Sequence, residues 1–194
     1  MSRPDERPLR RLPQLQARRD TLERCVFCPK LCRSACPVSN AEPRETLTPW
    51  GKMSTAYFVA SESVALAPSF AAPAWACTGC FACRSQCDHR NDVAGTLFEA
   101  RSALAEAGCA PASARRVLER FSAHEAEHRK SAEELSVLPE VDGASRTALL
   151  LGCAYGRAPE ESRDAVRATA RLVGGAVALL DTCCGTPLLH AGDR

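Results

Sequence analysis

The sequence predicts a mainly α-helical fold followed by an incomplete α/β unit of βαβ type, rich in cysteine. Three observations predict it. Apolar residues recur at helical spacing through 93–104, and a long charged helical stretch fills 112–135. Eight of the twelve cysteines fall in two short runs in the front half of the 194-residue chain. Beyond residue 145, an apolar run, an amphipathic helix and a second apolar run follow one another.

The cysteine runs come first, because the rest of the front half is arranged around them. Residues 77–87 read CTGCFACRSQC, four thiols separated by two, two and three residues. That spacing is the bacterial ligand pattern of iron-sulfur clusters, in which three thiolates bind one cluster and the fourth reaches its neighbour. A second run is therefore expected, and residues 25–36 supply it as CVFCPKLCRSAC, followed by Pro37. Crossed ligation predicts two 4Fe-4S clusters, one on Cys25, Cys28, Cys32 and Cys87, the other on Cys77, Cys80, Cys83 and Cys36. The gap after Cys28 holds Pro29, Lys30 and Leu31, one residue more than the simple pattern, and Pro29 is expected to fix a turn there. Zinc is the competing ligand reading. Structural zinc sites take two CxxC pairs around a longer loop, whereas each run here packs four thiols within twelve residues.

Composition is compatible with metal-bound thiols. Residues 1–24 carry seven arginines against four acids and no apolar run, so neither a secretory h-region nor a membrane span is expected there. Without a secretory signal, clustered thiols in a reducing cytoplasm bind metal in preference to pairing. A net charge of +2 does not indicate a nucleic-acid partner. The basic arm reads as a solvated tail that becomes helical over 15–24.

Between the runs, a turn at Thr48, Pro49, Trp50 and Gly51 leads into a short helix from about Met53, with Ala56, Tyr57 and Ala60 on one face. Pro68 and Pro73 are expected to limit helix beyond it. Trp50, Phe58, Phe70 and Trp75 are expected to pack around the clusters or fill the small core. His89, after the second run, reads as a surface residue. Asp92 is a candidate N-cap, and Val93, Leu97, Phe98, Arg101 and Leu104 form a stripe on a helix ending before Gly108. Cys109 reads as a small buried apolar residue. Within the helix over 112–135, His124, Glu125 and His128 match HExxH, the zinc-protease pattern. Its neighbours Arg129, Lys130, Glu133 and Glu134 make it read as a solvated helix face instead.

Residues 138–143, with Pro139, Asp142 and Gly143, read as a linker. The run 147–153 suits a strand buried on both faces. Pro159, Glu160 and Glu161 open a helix that closes at Gly174 and Gly175, with Ala165, Val166, Thr169, Leu172 and Val173 inward and Arg163, Arg167 and Arg171 outward. A second strand over 176–180 completes a parallel βαβ unit, whose ligands gather at the carboxyl ends of the strands. Cys153, Cys183 and Cys184 lie at that edge and predict a metal or redox site.

Cys153, twenty-nine residues, then CCG at 183–185 and Pro187, Leu188 and Leu189 resemble the opening of the cysteine-rich CCG domain. With the two cysteine runs ahead of it, the chain over residues 20–194 resembles the iron-sulfur subunits of glycolate oxidase, anaerobic glycerol-3-phosphate dehydrogenase, lactate-utilisation and heterodisulfide reductase systems. The resemblance implies a helical ferredoxin-like domain with two 4Fe-4S clusters. It implies an electron-transfer subunit without catalytic side chains of its own, working between a flavoprotein partner and a quinone or disulfide, with a membrane- or quinone-linked subunit at the inner face of the membrane. Expected divisions are a basic arm over 1–24, a two-cluster domain over 25–110, a charged helix and linker over 111–145, and a partial CCG domain over 146–194. In the family a CxxC follows the CCG; here the sequence stops at Arg194, so a fragment or shortened relative is expected. A third metal or cluster at the CCG motif would require that completion, as would a catalyst of disulfide reduction. A zinc-stabilised scaffold without redox activity is the alternative function.

Overall fold

A computed structural model describes residues 8–30 and 32–193. Residues 1–7 of the basic arm, Leu31 of the long cysteine gap and Arg194 lie outside them. The fold is mainly α, as the periodicities predict, with two three-residue strands near the end. The chain forms two compact units, Met1–Leu118 with Pro187–Arg194, and Glu119–Thr186.

The first unit is built on α3 (Pro49–Ala60), which packs against α1 (Arg19–Val26), α4 (Pro68–Trp75) and α6 (Val93–Glu106). Thr48 caps α3 by accepting from Gly51 N–H at 3.0 Å, and Pro49 occupies the first turn, where its missing N–H costs nothing. Met53, Ala56, Val59 and Ala60 of α3 meet Ala71 and Ala74 of α4 and Leu97, Ala100 and Leu104 of α6 in one buried cluster. The many alanines let the helix backbones approach closely. Asp92 caps α6 through Gly95 N–H at 3.2 Å, and the whole predicted stripe on α6 is buried, Arg101 included.

The stretch expected to be a solvated arm is part of this core. Leu9, Leu12 and Leu15 are at most 1% exposed, and a 3₁₀ turn over Pro13–Arg18 feeds α1. Burying each leucine contributes about 2 kcal/mol, which outweighs the solubility of the intervening arginines. Arg18 also reaches α6, pairing with Glu99 at 2.6 Å and Asp92 at 3.3 Å, and Arg11 donates to Val64 O. Charge composition concealed a leucine every third residue. The prolines differ too: Pro68 starts α4 at its N-terminal turn and Pro73 sits inside it, so they bound a helix where a break was expected. Cys109 is buried, in agreement with its apolar reading.

Helix α7 spans Ala112–Leu135, the limits expected from the sequence. In the second unit its last turns join Leu151, Val166 and Val177 in a small core. Strands β1 (Ala148–Leu150) and β2 (Ala178–Leu180) pair in parallel, Leu150 opposite Leu180, with α8 (Pro159–Val173) between them in sequence. Gly174 takes φ 70° and Gly175 N–H closes the helix end on Ala170 O at 3.1 Å.

Three expectations fail in this unit. The strands are not buried on both faces, since Leu150 and Leu180 are about 40% exposed. Leu172 and Val173 are likewise exposed, because the helix has turned them past the narrow two-stranded sheet. His128, expected on a solvated face, is buried, its Nε2 2.9 Å from Leu151 O.

Candidate metal centres

The cysteine loops close by means of left-handed backbone. Lys30, Gly79, Phe81 and Arg90 have φ of 68°, 72°, 58° and 46°, each within three residues of a run cysteine. For the three non-glycine residues this costs about 1–2 kcal/mol each, and Glu62, after the end of the helix over Pro49–Ala60 and away from both runs, adopts the same conformation with φ 65°. Gly79 is required where it stands, because a Cβ there would lie 2.8 Å from the Phe98 ring.

The folded loops bring thiols from both runs to two cavities. One is lined by Cys25, Cys28, Cys32 and Cys87 with Trp50, His89 and Asn91. The other is lined by Cys36, Cys77, Cys80 and Phe81 with Pro49 and Lys52. Cys83 borders both. The last cysteine of each run thus joins the first three of the other. His89 is exposed, as expected, yet lines the first cavity. Of the four aromatics named above, Trp50 reaches a cavity, donating from Nε1 to Val26 O at 3.0 Å while Lys30 Nζ lies 4.0 Å over its ring. Phe58 stacks edge-on with Tyr57, Trp75 packs on the helical core, and Phe70 is exposed.

Electrostatics identify the site as one that awaits positive charge. Burial pushes the Cys25 thiol up to about 12, with Cys32, Cys87 and Cys28 adding to the rise against a hydrogen bond from Asn91. Burial likewise pushes Cys83 up to about 12, reinforced by Cys32, Cys77, Cys80 and Cys36. Cys25 and Cys83 would ionise readily only with a cation beside them to displace their protons. Cys36 goes the other way: burial raises it, but hydrogen bonds from Ser39 and the charge of Lys52 bring it below its ordinary value. Lys52 is 2% exposed and donates to Cys36 Sγ at 3.5 Å, and Asn91 Nδ2 donates to Cys25 Sγ at 2.9 Å. A buried ammonium needs an anion beside it, and a metal-bound thiolate is one. Sequence reasoning missed both residues. The signal for Lys52 was a lone lysine amid small apolar residues of α3.

A cluster fits these cavities better than a single ion. Tetrahedral zinc with thiolates at about 2.3 Å holds its sulfurs roughly 3.8 Å apart. Among the described residues, no three His, Cys, Asp or Glu side chains converge as a single-ion site requires. Each cavity is lined by thiols from both runs.

Residues 21–91 match the family model of the 4Fe-4S dicluster domain. The match embraces all eight run cysteines and ends at Asn91. No curated protein and no solved structure matches the chain. The match supports an iron-sulfur, ferredoxin-type segment with an electron-transfer role over those residues.

In the second unit, Cys153 and Cys183 are half-buried with their sulfurs 3.8 Å apart. Cys184 is exposed, and its thiol donates to Thr186 Oγ1 at 3.3 Å. The HExxH histidines do not form a zinc pair: His128 Nε2 is engaged with Leu151 O, while His124 Nδ1 accepts from Arg157 at 3.2 Å.

Proposed function

We propose that the protein is an electron-transfer subunit holding two 4Fe-4S clusters, one on Cys25, Cys28, Cys32 and Cys87, the other on Cys36, Cys77, Cys80 and Cys83. It would relay electrons between a flavoprotein partner and a quinone or disulfide acceptor. The observation that carries the reading is the crossing of Cys36 and Cys87 into the cavity of the opposite run.

When bound, such clusters supply one-electron redox chemistry at potentials set by burial, charge and hydrogen bonds to sulfur. The chain's own residues account for those settings. Lys52 brings a positive charge to Cys36, Asn91 donates to Cys25, and Trp50, Pro49 and Val93 exclude water from the thiols. No general acid or base is called for. Among the described residues no helix is long and apolar enough to cross a membrane.

Anaerobic purification with iron and sulfide analysis tests the assignment. About eight irons per chain, a brown colour bleached by dithionite and a paramagnetic signal on reduction are expected. Colourless, folded protein carrying zinc would establish the scaffold reading in its place.

A further inference from the structure

Phe27 ends α1 with its side chain 77% exposed, and the next residue is the candidate ligand Cys28. Its N–H donates to Glu23 O at 3.0 Å and the N–H of Cys28 donates to Cys25 O at 3.1 Å, so the backbone on either side of the ring is fixed. A single exposed ring is ordinary on a protein surface. The charges beside this one are not balanced. The cavity that Cys28 lines is also lined by Arg24, Lys30 and His89, and by no carboxylate. Arg90, which follows His89, is exposed. The nearby acids are mostly committed: Glu23 pairs with Arg19 at 2.8 Å, and Glu45 is shared between Lys30, at 3.5 Å, and Arg33. Arg24 and Arg90 take part in no ion pair among the described residues. Asp88 is left against them, and the surplus is positive.

We propose that Phe27, with Arg24, Lys30 and Arg90, forms the docking surface for a redox protein whose own face carries carboxylates around an apolar centre, and that electrons cross there to or from the cluster on Cys25, Cys28, Cys32 and Cys87. The surface has this role only if the electron-transfer assignment holds. An aromatic anchor beside a charged rim is the anatomy of a transient protein interface, in which the anchor supplies contact and the rim supplies steering. Three cations with one ring are too few for a phosphate backbone or a lipid surface, where binding grows with each added lysine or arginine. One electron passes at each encounter: the cluster loses what the partner's centre gains, or the reverse, and no bond is made or broken. Electron tunnelling weakens steeply with distance, so docking beside a ligand cysteine shortens the path that matters.

The test uses the full chain with its clusters, reduced anaerobically and mixed by stopped flow with two oxidised acceptors of opposite charge. Plastocyanin, an acidic copper protein, stands for the partner, and cytochrome c, a basic haem protein, is the contrast. The plastocyanin rate should fall as salt rises from about 10 to about 200 mM, and the cytochrome c rate should not. Arg24→Glu should slow plastocyanin about tenfold at low salt. Phe27→Ser should slow it about threefold at either salt concentration. Neither variant should slow cytochrome c. Arg10→Glu makes the same change in charge at an exposed position, next to Arg11, whose N–H meets Ala60 O at the end of α3 about 15 Å from Trp50. It should leave the plastocyanin rate within about twofold of the parent. The docking surface is overturned if Arg24→Glu and Phe27→Ser both leave the plastocyanin rate unchanged, if Arg10→Glu slows it as much, or if both acceptors slow together. It is equally overturned if a redox titration shows that the Arg24→Glu loss follows a shifted cluster potential. Iron content and the cluster signal are read on the same samples. Protein without iron overturns the electron-transfer reading itself, whereas full iron with unchanged rates overturns the docking surface alone.

Discussion

Lys52 Nζ lies 3.5 Å from Cys36 Sγ in a pocket where the lysine is 2% exposed. If Cys36 ligates a cluster as proposed, a fixed positive charge beside it favours the reduced, more negative state. At an effective dielectric near 20 and a separation of about 6 Å, the interaction amounts to roughly 2–3 kcal/mol. For one electron that corresponds to a potential on the order of 100 mV. Lys52→Met should therefore lower the potential of the centre that includes Cys36 by up to that amount, and move the other centre less. Redox titration monitored by EPR reads both. An unchanged potential would mean that the ammonium is compensated by something other than the thiolate.

Asn91 contributes through a neutral donor, dividing one amide nitrogen between Cys25 Sγ at 2.9 Å and Thr21 O at 2.7 Å. Asn91→Ala removes the donor to both acceptors and leaves the buried Cys25 sulfur without it, at a cost of about 1–3 kcal/mol. Asn91→Asp is worse, because it sets a carboxylate against thiolate. The expected outcome is loss of about half the iron in the aspartate variant and a lowered melting temperature with near-normal iron in the alanine variant.

Arg101 holds the second run from below. Its guanidinium donates to Ala74 O at 3.0 Å, to His190 O at 3.3 Å and to Cys77 O, and stacks 4.8 Å over Phe98. Burial lowers its pKa, opposed by Cys77, so the site bears a real desolvation cost that the three carbonyls offset. Arg101→Met strands those carbonyls and should cost about 3 kcal/mol or more. Arg101→Lys should not restore the loss, since an ammonium cannot present the same planar fork. Thermal melts measure the first effect. Faster proteolysis after residue 186 would report release of the C-terminal segment that Arg101 and Trp75 hold.

Much of this was legible in the primary structure, and the reasons differ by residue. Cysteine spacing is a local property, so the runs, and with them the iron-sulfur class, could be read directly. The α6 stripe and the limits of α7 follow from period and caps, which are local as well. What could not be read depends on tertiary partners. Lys52 carries charge and reads as a surface residue until the thiolate that receives it is in place, and the carbonyls that receive Arg101 are equally out of sight. The leucines of the basic arm look like interruptions in a polar tail until α3 and α6 supply the surface that buries them. His128 was misjudged because its neighbours in sequence are charged, whereas its neighbour in space is Leu151.

Glycine positions offer a contrast that needs no cofactor. A Cβ on Gly51 would lie 2.0 Å from Glu45 O, a backbone atom that cannot step aside without moving the turn over Glu45–Leu47. On Gly143 it would meet nothing within 4 Å. Gly51→Ala should therefore destabilise by about 1–3 kcal/mol or more, through overpacking. Gly143→Ala should be within about 0.5 kcal/mol of neutral, as surface substitutions usually are. Chemical denaturation of the two variants in parallel checks the difference, and equal effects would mean that α3 has room to shift.

The two histidines of the HExxH stretch separate a buried tie from a surface contact. His128 is 4% exposed and its Nε2 meets Leu151 O, at the end of the strand that leads to Cys153, while its Nδ1 is buried without a partner. His124 is only partly covered and shares a contact with Arg157. His128→Ala removes both packing and the bond to a buried carbonyl, and should cost about 1–3 kcal/mol. His124→Ala should cost less than about 0.5 kcal/mol. If the motif bound zinc, both variants would lose metal equally and zinc would raise the melting temperature of the parent. The present geometry predicts unequal destabilisation and no zinc-dependent shift, because the imidazole that a metal would need is turned into the core to support the strand.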